Sequence, residues 1–89
     1  MIETVIPVIN KLGLHARAAS KLVRLCGGYE STIKFVGNGQ EVDGKSIMGI
    51  LMLAATQGTD LQLKVDGADE EAATDAIRDL FADCFEEGE

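Results

Sequence analysis

Asn10-Lys11-Leu12-Gly13-Leu14-His15-Ala16-Arg17-Ala18-Ala19 is where the chain changes its period. Upstream, residues 2 to 9 read as a strand. Pro7 within it points to a sheet edge, where a missing N–H breaks no ladder bond. Downstream, Ala19, Leu22, Val23 and Cys26 recur at i, i+3, i+4 and i+7, the buried stripe of a helix over residues 16 to 27. Gly13 marks the turn between the two. His15, the only histidine, therefore falls at or just outside a helix N-terminus. Several backbone N–H groups there lack an intrahelical partner, and the peptide dipoles present partial positive charge. Such a terminus accepts anions, and Arg17 in the first turn adds a cation whose fork suits phosphate oxygens. The same field disfavours an imidazolium and leaves a neutral, nucleophilic ring suited to accepting a phosphoryl group. The plainer alternative is that His15 only caps or solvates the helix end.

The remaining elements follow in order. Gly27-Gly28 stops the first helix. Residues 32 to 36 form a second strand with Ile33 and Phe35 on one side. Gly37-Asn38-Gly39 is a hairpin turn, and a short third strand runs from Gln40 to Asp43. Ser46 is placed to cap a short second helix, Ile47-Met48-Gly49-Ile50-Leu51-Met52-Leu53. That helix is apolar almost all round. A small two-layer domain buries one face of it, so some of Ile47, Met48, Leu51 and Met52 are expected at the surface, unless the helix sinks deeper into the core. An exposed apolar cluster marks an interaction site, and methionine adapts to several partners. Residues 56 to 59 make a turn. Asp60 to Asp66 alternates, with Leu61, Leu63 and Val65 inward and Gln62 and Lys64 outward. Asp69 is expected to cap the last helix, with Glu70 and Glu71 in its first turn. Ala73, Ala76, Ile77, Leu80, Phe81 and Cys84 are its expected buried stripe, and Glu86 to Glu89 are expected to fray. One-sided strands and one-sided helices imply an α+β domain of two layers, an antiparallel sheet with its helices on one face.

Composition narrows the class. The 89 residues are 46% hydrophobic and 26% charged, ordinary for one small globular domain. Neither a basic segment leading into an apolar run nor a stretch of bilayer length is present, so secretion and membrane insertion are not expected. Cys26 and Cys84 both fall in apolar stripes and read as buried free thiols of a reducing cytoplasm, although a bridge between them stays open. Metal-ligand spacing is absent, and a lone histidine has no nearby second ligand. The net charge of −7 is uneven. Residues 1 to 67 hold seven basic and six acidic side chains, whereas residues 68 to 89 hold Arg78 against nine acids. That excess repels nucleic-acid backbones. A local basic stripe survives it: Arg17, Ser20, Lys21 and Arg24 share one helix face that starts beside His15. This stripe is either a solvated face or a docking surface that steers an acidic partner toward the histidine.

Gly13-Leu14-His15-Ala16-Arg17, followed by Lys45-Ser46-Ile47-Met48-Gly49-Ile50, resembles HPr, the histidine phosphocarrier family of the phosphoenolpyruvate-dependent sugar phosphotransferase system. The resemblance covers essentially all 89 residues. It implies one HPr domain over residues 1–89, an open-faced β-sandwich in the order βαββαβα with strand order 1-4-2-3. It also implies a monomeric cytoplasmic phosphoryl-transfer intermediate rather than a stand-alone metabolic enzyme, with no metal or organic cofactor. His15 would accept phosphate at Nδ1 from Enzyme I and pass it to enzyme IIA domains. Arg17 and the backbone N–H groups of Ala16, Arg17 and Ala18 would hold the phosphate oxygens. The family pattern often has proline at the position of Ala18, and alanine restores an N–H that proline lacks. Ser20, Lys21, Arg24, Ile47, Met48 and Leu51 would form the docking face. Ser46 matches the site of a dedicated ATP-dependent kinase (HPr kinase/phosphorylase) found in many bacteria, and a plain N-cap is the alternative role. Two other readings stand beside this one: the nitrogen-related phosphotransfer branch, and a pure interaction module.

Overall fold

The computed structural model describes residues 1–86. Its elements are β1 (Ile2–Pro7), α1 (Ala16–Cys26), β2 (Thr32–Gly37), β3 (Gln40–Asp43), α2 (Ile47–Met52), β4 (Asp60–Asp66) and α3 (Glu70–Ala82), closed by a short turn at Cys84–Glu86. The four strands form one antiparallel sheet in the order β1-β4-β2-β3. Pro7 lies on the edge strand β1, opposite Asp60, as its missing N–H requires.

Register decides which face is wet. Ile6 pairs with Leu61, Thr4 with Leu63, Phe35 with both Leu63 and Val42, and Ile33 with Val65. These side chains form the inner face, and the three helices cover it. Ile6, Ile33, Phe35, Leu61, Leu63 and Val65 join Leu22, Cys26, Ile50, Leu53, Ile77, Phe81 and Phe85 in one core. Each large side chain taken fully out of water contributes about 1.5–3 kcal/mol, so the layered core is the main source of stability. The outer face is polar and solvated, crossed by contacts such as Lys64 to Glu41 at 3.2 Å and Gln62 to Glu3 at 3.4 Å.

Local expectations hold at several points. The β2–β3 connection is a two-residue turn in which Asn38 (φ 49°) and Gly39 (φ 79°) both take positive φ, the conformation that matches strand twist. Ser46 caps α2, its Oγ accepting from the Gly49 N–H at 3.2 Å. On α1, Ala18, Ala19, Leu22 and Cys26 are buried and Val23 is half-buried.

The last helix departs from expectation at both ends. Asp69 makes no side-chain cap bond to α3. Its carboxylate instead accepts from the N–H groups of Glu30 and Ser31, at 2.9 and 3.0 Å, and from the Ser31 hydroxyl. It thus clasps the start of β2 to the start of α3. At the far end α3 stops at Ala82, so Cys84 lies outside the helix and is half-buried. Phe85 fills the core there, fully buried and edge-on to Phe81 with ring centroids 4.7 Å apart. Cys84, Phe85 and Glu86 all take positive φ, which turns the chain inward after the helix. Both cysteines are free, and burial pushes the Cys26 thiol up to about 12. Of the expected fraying segment, residues 87–89 lie outside the described residues. Among the described residues no helix is long and apolar enough to cross a membrane.

Candidate functional site: the start of the first helix

The turn that carries His15 is built from backbone contacts. The Gly13 N–H donates to the Asn10 carbonyl at 3.2 Å, and the buried Asn10 amide donates to the Gly13 carbonyl at 2.8 Å. Leu14 N–H then bonds the Ala55 carbonyl at 2.9 Å, which docks the loop just beyond α2. Gly13 has φ 63°, and a Cβ there would stand 2.5 Å from the Ala55 oxygen. Only glycine allows that approach, because a Cβ would collide with the Ala55 backbone and the left-handed conformation would add strain. In the sequence Asn10 marks only the end of a strand. The signal that marks it is the Asn-x-x-Gly spacing of a β-turn.

His15 is the N-cap of α1, with extended backbone (φ −74°, ψ 177°). Its carbonyl accepts from Ala19 N–H at 2.8 Å, starting the helix. Its Nδ1 accepts from Arg17 N–H at 3.3 Å, so the Nδ1 lone pair points at the helix terminus rather than at solvent alone. No acidic residue occupies the first turn of α1. The positive end of the helix is therefore not neutralised by its own first turn. Ala16 and Arg17 are exposed, and Ala18 is buried with its methyl in the core. An acceptor ring nitrogen and the N–H groups of the first turn thus meet at one accessible point, with the exposed Arg17 two residues on. That arrangement can hold a tetrahedral dianion attached to Nδ1.

The expected docking residues divide into three groups. Arg24 is exposed in the last turn of α1, and Ser20 is half-buried. Lys21 has internal partners: its ammonium donates to the Phe85 carbonyl at 2.7 Å and lies 3.7 Å from Glu86. The apolar group is at the surface. Ile47, Met48, Leu51 and Met52 are 41%, 65%, 37% and 59% exposed, on a helix that packs beside α1. Leu12, not singled out in sequence, is 67% exposed on the histidine's own turn. Ser46 caps the start of α2, whereas the histidine turn docks beyond its end, at the Ala55 carbonyl. Among the described residues no group of three or more His, Cys, Asp or Glu could hold a metal.

Comparison with known proteins gives the class first. A family model described as "PTS HPr component phosphorylation site" matches residues 2–83, which makes the chain a phosphocarrier component. Relatives narrow this. The phosphocarrier protein HPr of Cupriavidus necator is 51% identical over 89 residues, covering all of both chains. That of Pseudomonas aeruginosa is 50% identical over 86 residues, 94% of each chain. Among solved structures, HPr-C-His from Thermoanaerobacter tengcongensis superposes with a TM-score of 0.93 at 40% identity, covering 98% of each chain. The chain belongs to the HPr family and works as an HPr phosphocarrier of the phosphotransferase system.

Proposed function

We propose that His15 Nδ1 is the atom that carries the phosphoryl group, with phospho-Enzyme I as donor and enzyme IIA domains as acceptors. The observation that carries this reading is the hydrogen bond from Arg17 N–H to Nδ1. It aims the ring lone pair at the helix terminus, so a phosphoryl group formed there meets N–H donors at once. In the transfer, the Nδ1 lone pair attacks phosphorus as the donor's phosphorus–nitrogen bond breaks, and the electron pair of that bond returns to the donor ring. Positioning and charge stabilisation then account for most of the catalysis. Ala16, Arg17 and Ala18 N–H groups and the Arg17 guanidinium bind the equatorial oxygens. Protonation at Nε2, favoured by the dianion, makes the ring a better leaving group for the onward step.

Arg24 supplies charge for docking, with Ser20 and Lys21 beside it, and Ile47, Met48 and Leu51 supply apolar contact. Ser46 is the regulatory position. A phosphate there keeps the helix dipole and N–H contacts, yet sets about two negative charges beside the apolar patch and disfavours docking. The sugar branch is favoured over the nitrogen-related branch by Lys45-Ser46-Ile47-Met48-Gly49. A cytoplasmic site of action follows from those partners.

The test is incubation with phosphoenolpyruvate and Enzyme I. The parent should gain phosphate that is labile to acid and stable to alkali. His15→Ala should gain none while keeping its fold by circular dichroism, and Arg17→Ala should be slowed without being silenced. Acid-labile phosphate on the His15→Ala protein would overturn the assignment.

A further inference from the structure

A helix of six residues is too short to hold itself together, since the ordering of its first turn outweighs the few hydrogen bonds it makes. Yet α2 presents the most exposed apolar surface of the fold, and an exposed surface gains little from packing. What fixes it must come from outside the helix. At its start Ser46 caps Gly49, and the Ser46 N–H bonds the Asp43 carbonyl at 3.1 Å. Along its buried side Ile50 and the following Leu53 are fully buried. Gly49 lies so near β3 that a Cβ would stand 3.2 Å from Val42 Cβ.

Its end is the harder problem. The last carbonyls of any helix lack intrahelical donors. Here the chain leaves through Ala54 at φ 51°, a left-handed position without the glycine that normally relieves it. Two side chains from the β2–β3 hairpin meet those carbonyls. Asn38 Nδ2 donates to the Leu53 carbonyl at 2.7 Å, and Gln40 Nε2 donates to the Met52 carbonyl at 3.2 Å. Asn38 is itself in the turn, where its positive φ is already specified, so its amide is delivered by a rigid element.

The geometry points to Asn38 and Gln40 as positioning residues for docking: a clamp from the hairpin that holds the C-terminal end of α2 and so presents Met48, Leu51 and Met52 in one fixed arrangement. Neither residue touches the histidine site. Their effect runs through α2 alone, and it is an effect on partner binding rather than on the phosphoryl step. Without the clamp the last turn of α2 frays, and a partner must order it on contact, which weakens binding.

This inference rests on the proposed role of α2 in docking, and the experiment separates the two. Asn38→Gly keeps the turn conformation and removes the amide; Gln40→Ala removes the second donor from an exposed position. For the double variant, the KM of Enzyme I for this carrier should rise about threefold to tenfold, the range expected when one or two net hydrogen bonds are lost. The kcat should be unchanged, because His15 and its donors are untouched. Hydrogen exchange should speed up at Ile50 to Ala54 and not at β1 or β4. A Met48→Ser variant runs alongside. If it raises KM while the hairpin variants leave KM unchanged, the clamp is overturned and the docking role of α2 stands. If Met48→Ser and the hairpin variants all leave KM unchanged, both readings fall. A fall in kcat without a change in KM would also overturn the clamp.

Discussion

Two helix starts in this molecule solve the same electrostatic problem in opposite ways. At α1 the cap is His15 and the first turn holds no acid. At α3 the cap position is Asp69 and the first turn holds Glu70 and Glu71. The positive end of α3 is neutralised by its own side chains. Glu70 accepts from Gly67 N–H at 3.1 Å and meets the N-terminal ammonium at 3.1 Å, while Asp69 is consumed in binding β2. The start of α1 faces outward with a ring nitrogen as its cap. A helix terminus stays available to an outside anion where its own first turn supplies none.

The largest effect should come from giving α1 the chemistry of α3. Ala16 is exposed at the first helical position. Ala16→Glu would put a carboxylate at the proposed phosphate site, taking its donors and repelling its charge. Phosphorylation by Enzyme I should slow by about a hundredfold, on the scale of losing one positioned donor to a developing anion. Thermal stability should hold or rise slightly, because an acid there suits the dipole. A rate equal to the parent's would break the contrast between the two termini.

The reverse case is Asp69→Ala, which should leave transfer by the folded protein unchanged and lower the melting temperature, since the Ser31 hydroxyl and two N–H groups lose their acceptor. It also sharpens a pH dependence. The Ser31 hydroxyl, followed by the Glu30 N–H, holds the Asp69 carboxyl below its ordinary value. The Gly67 N–H, followed by the N-terminal ammonium, does the same for Glu70. A lowered folded value means that the stabilisation is fully present above the ordinary values of 3.8 and 4.5 and is lost as pH falls below them. Melting temperature measured against pH should therefore drop in acid for the parent, and less steeply for Asp69→Ala. Parallel curves would show that Asp69 is not part of the acid response.

The smallest effect is expected at Ala18. Ala18→Pro restores the residue frequent in the family and removes one N–H donor. With the Arg17 guanidinium and the remaining N–H groups in place, the transfer rate should change by no more than about threefold. A larger loss would make the Ala18 N–H a principal ligand in this chain.

The sequence by itself determined whatever depends on neighbours along the chain. The period of two in Asp60–Asp66, the apolar spacing of α1, the Asn38-Gly39 turn, the Ser46 cap and the position of His15 at a helix start are all short-range properties. Each is specified within about one turn of helix or one pair of strands. Tertiary structure decided the partners of polar side chains. Asp69 reads as an ordinary N-cap until β2, 38 residues away, brings Ser31 against it. Lys21 reads as a surface cation until the Phe85 carbonyl, 64 residues on, takes its ammonium. The amide of Asn38 reads only as turn chemistry until α2 ends 15 residues later, beside it. The choice of Phe85 over Cys84 for the core was also made there, by a left-handed turn with no glycine to announce it. The physical reason is common to the three polar cases. Apolar burial imposes a period on the sequence, whereas a hydrogen bond to a distant carbonyl or carboxylate is a single event that imposes none.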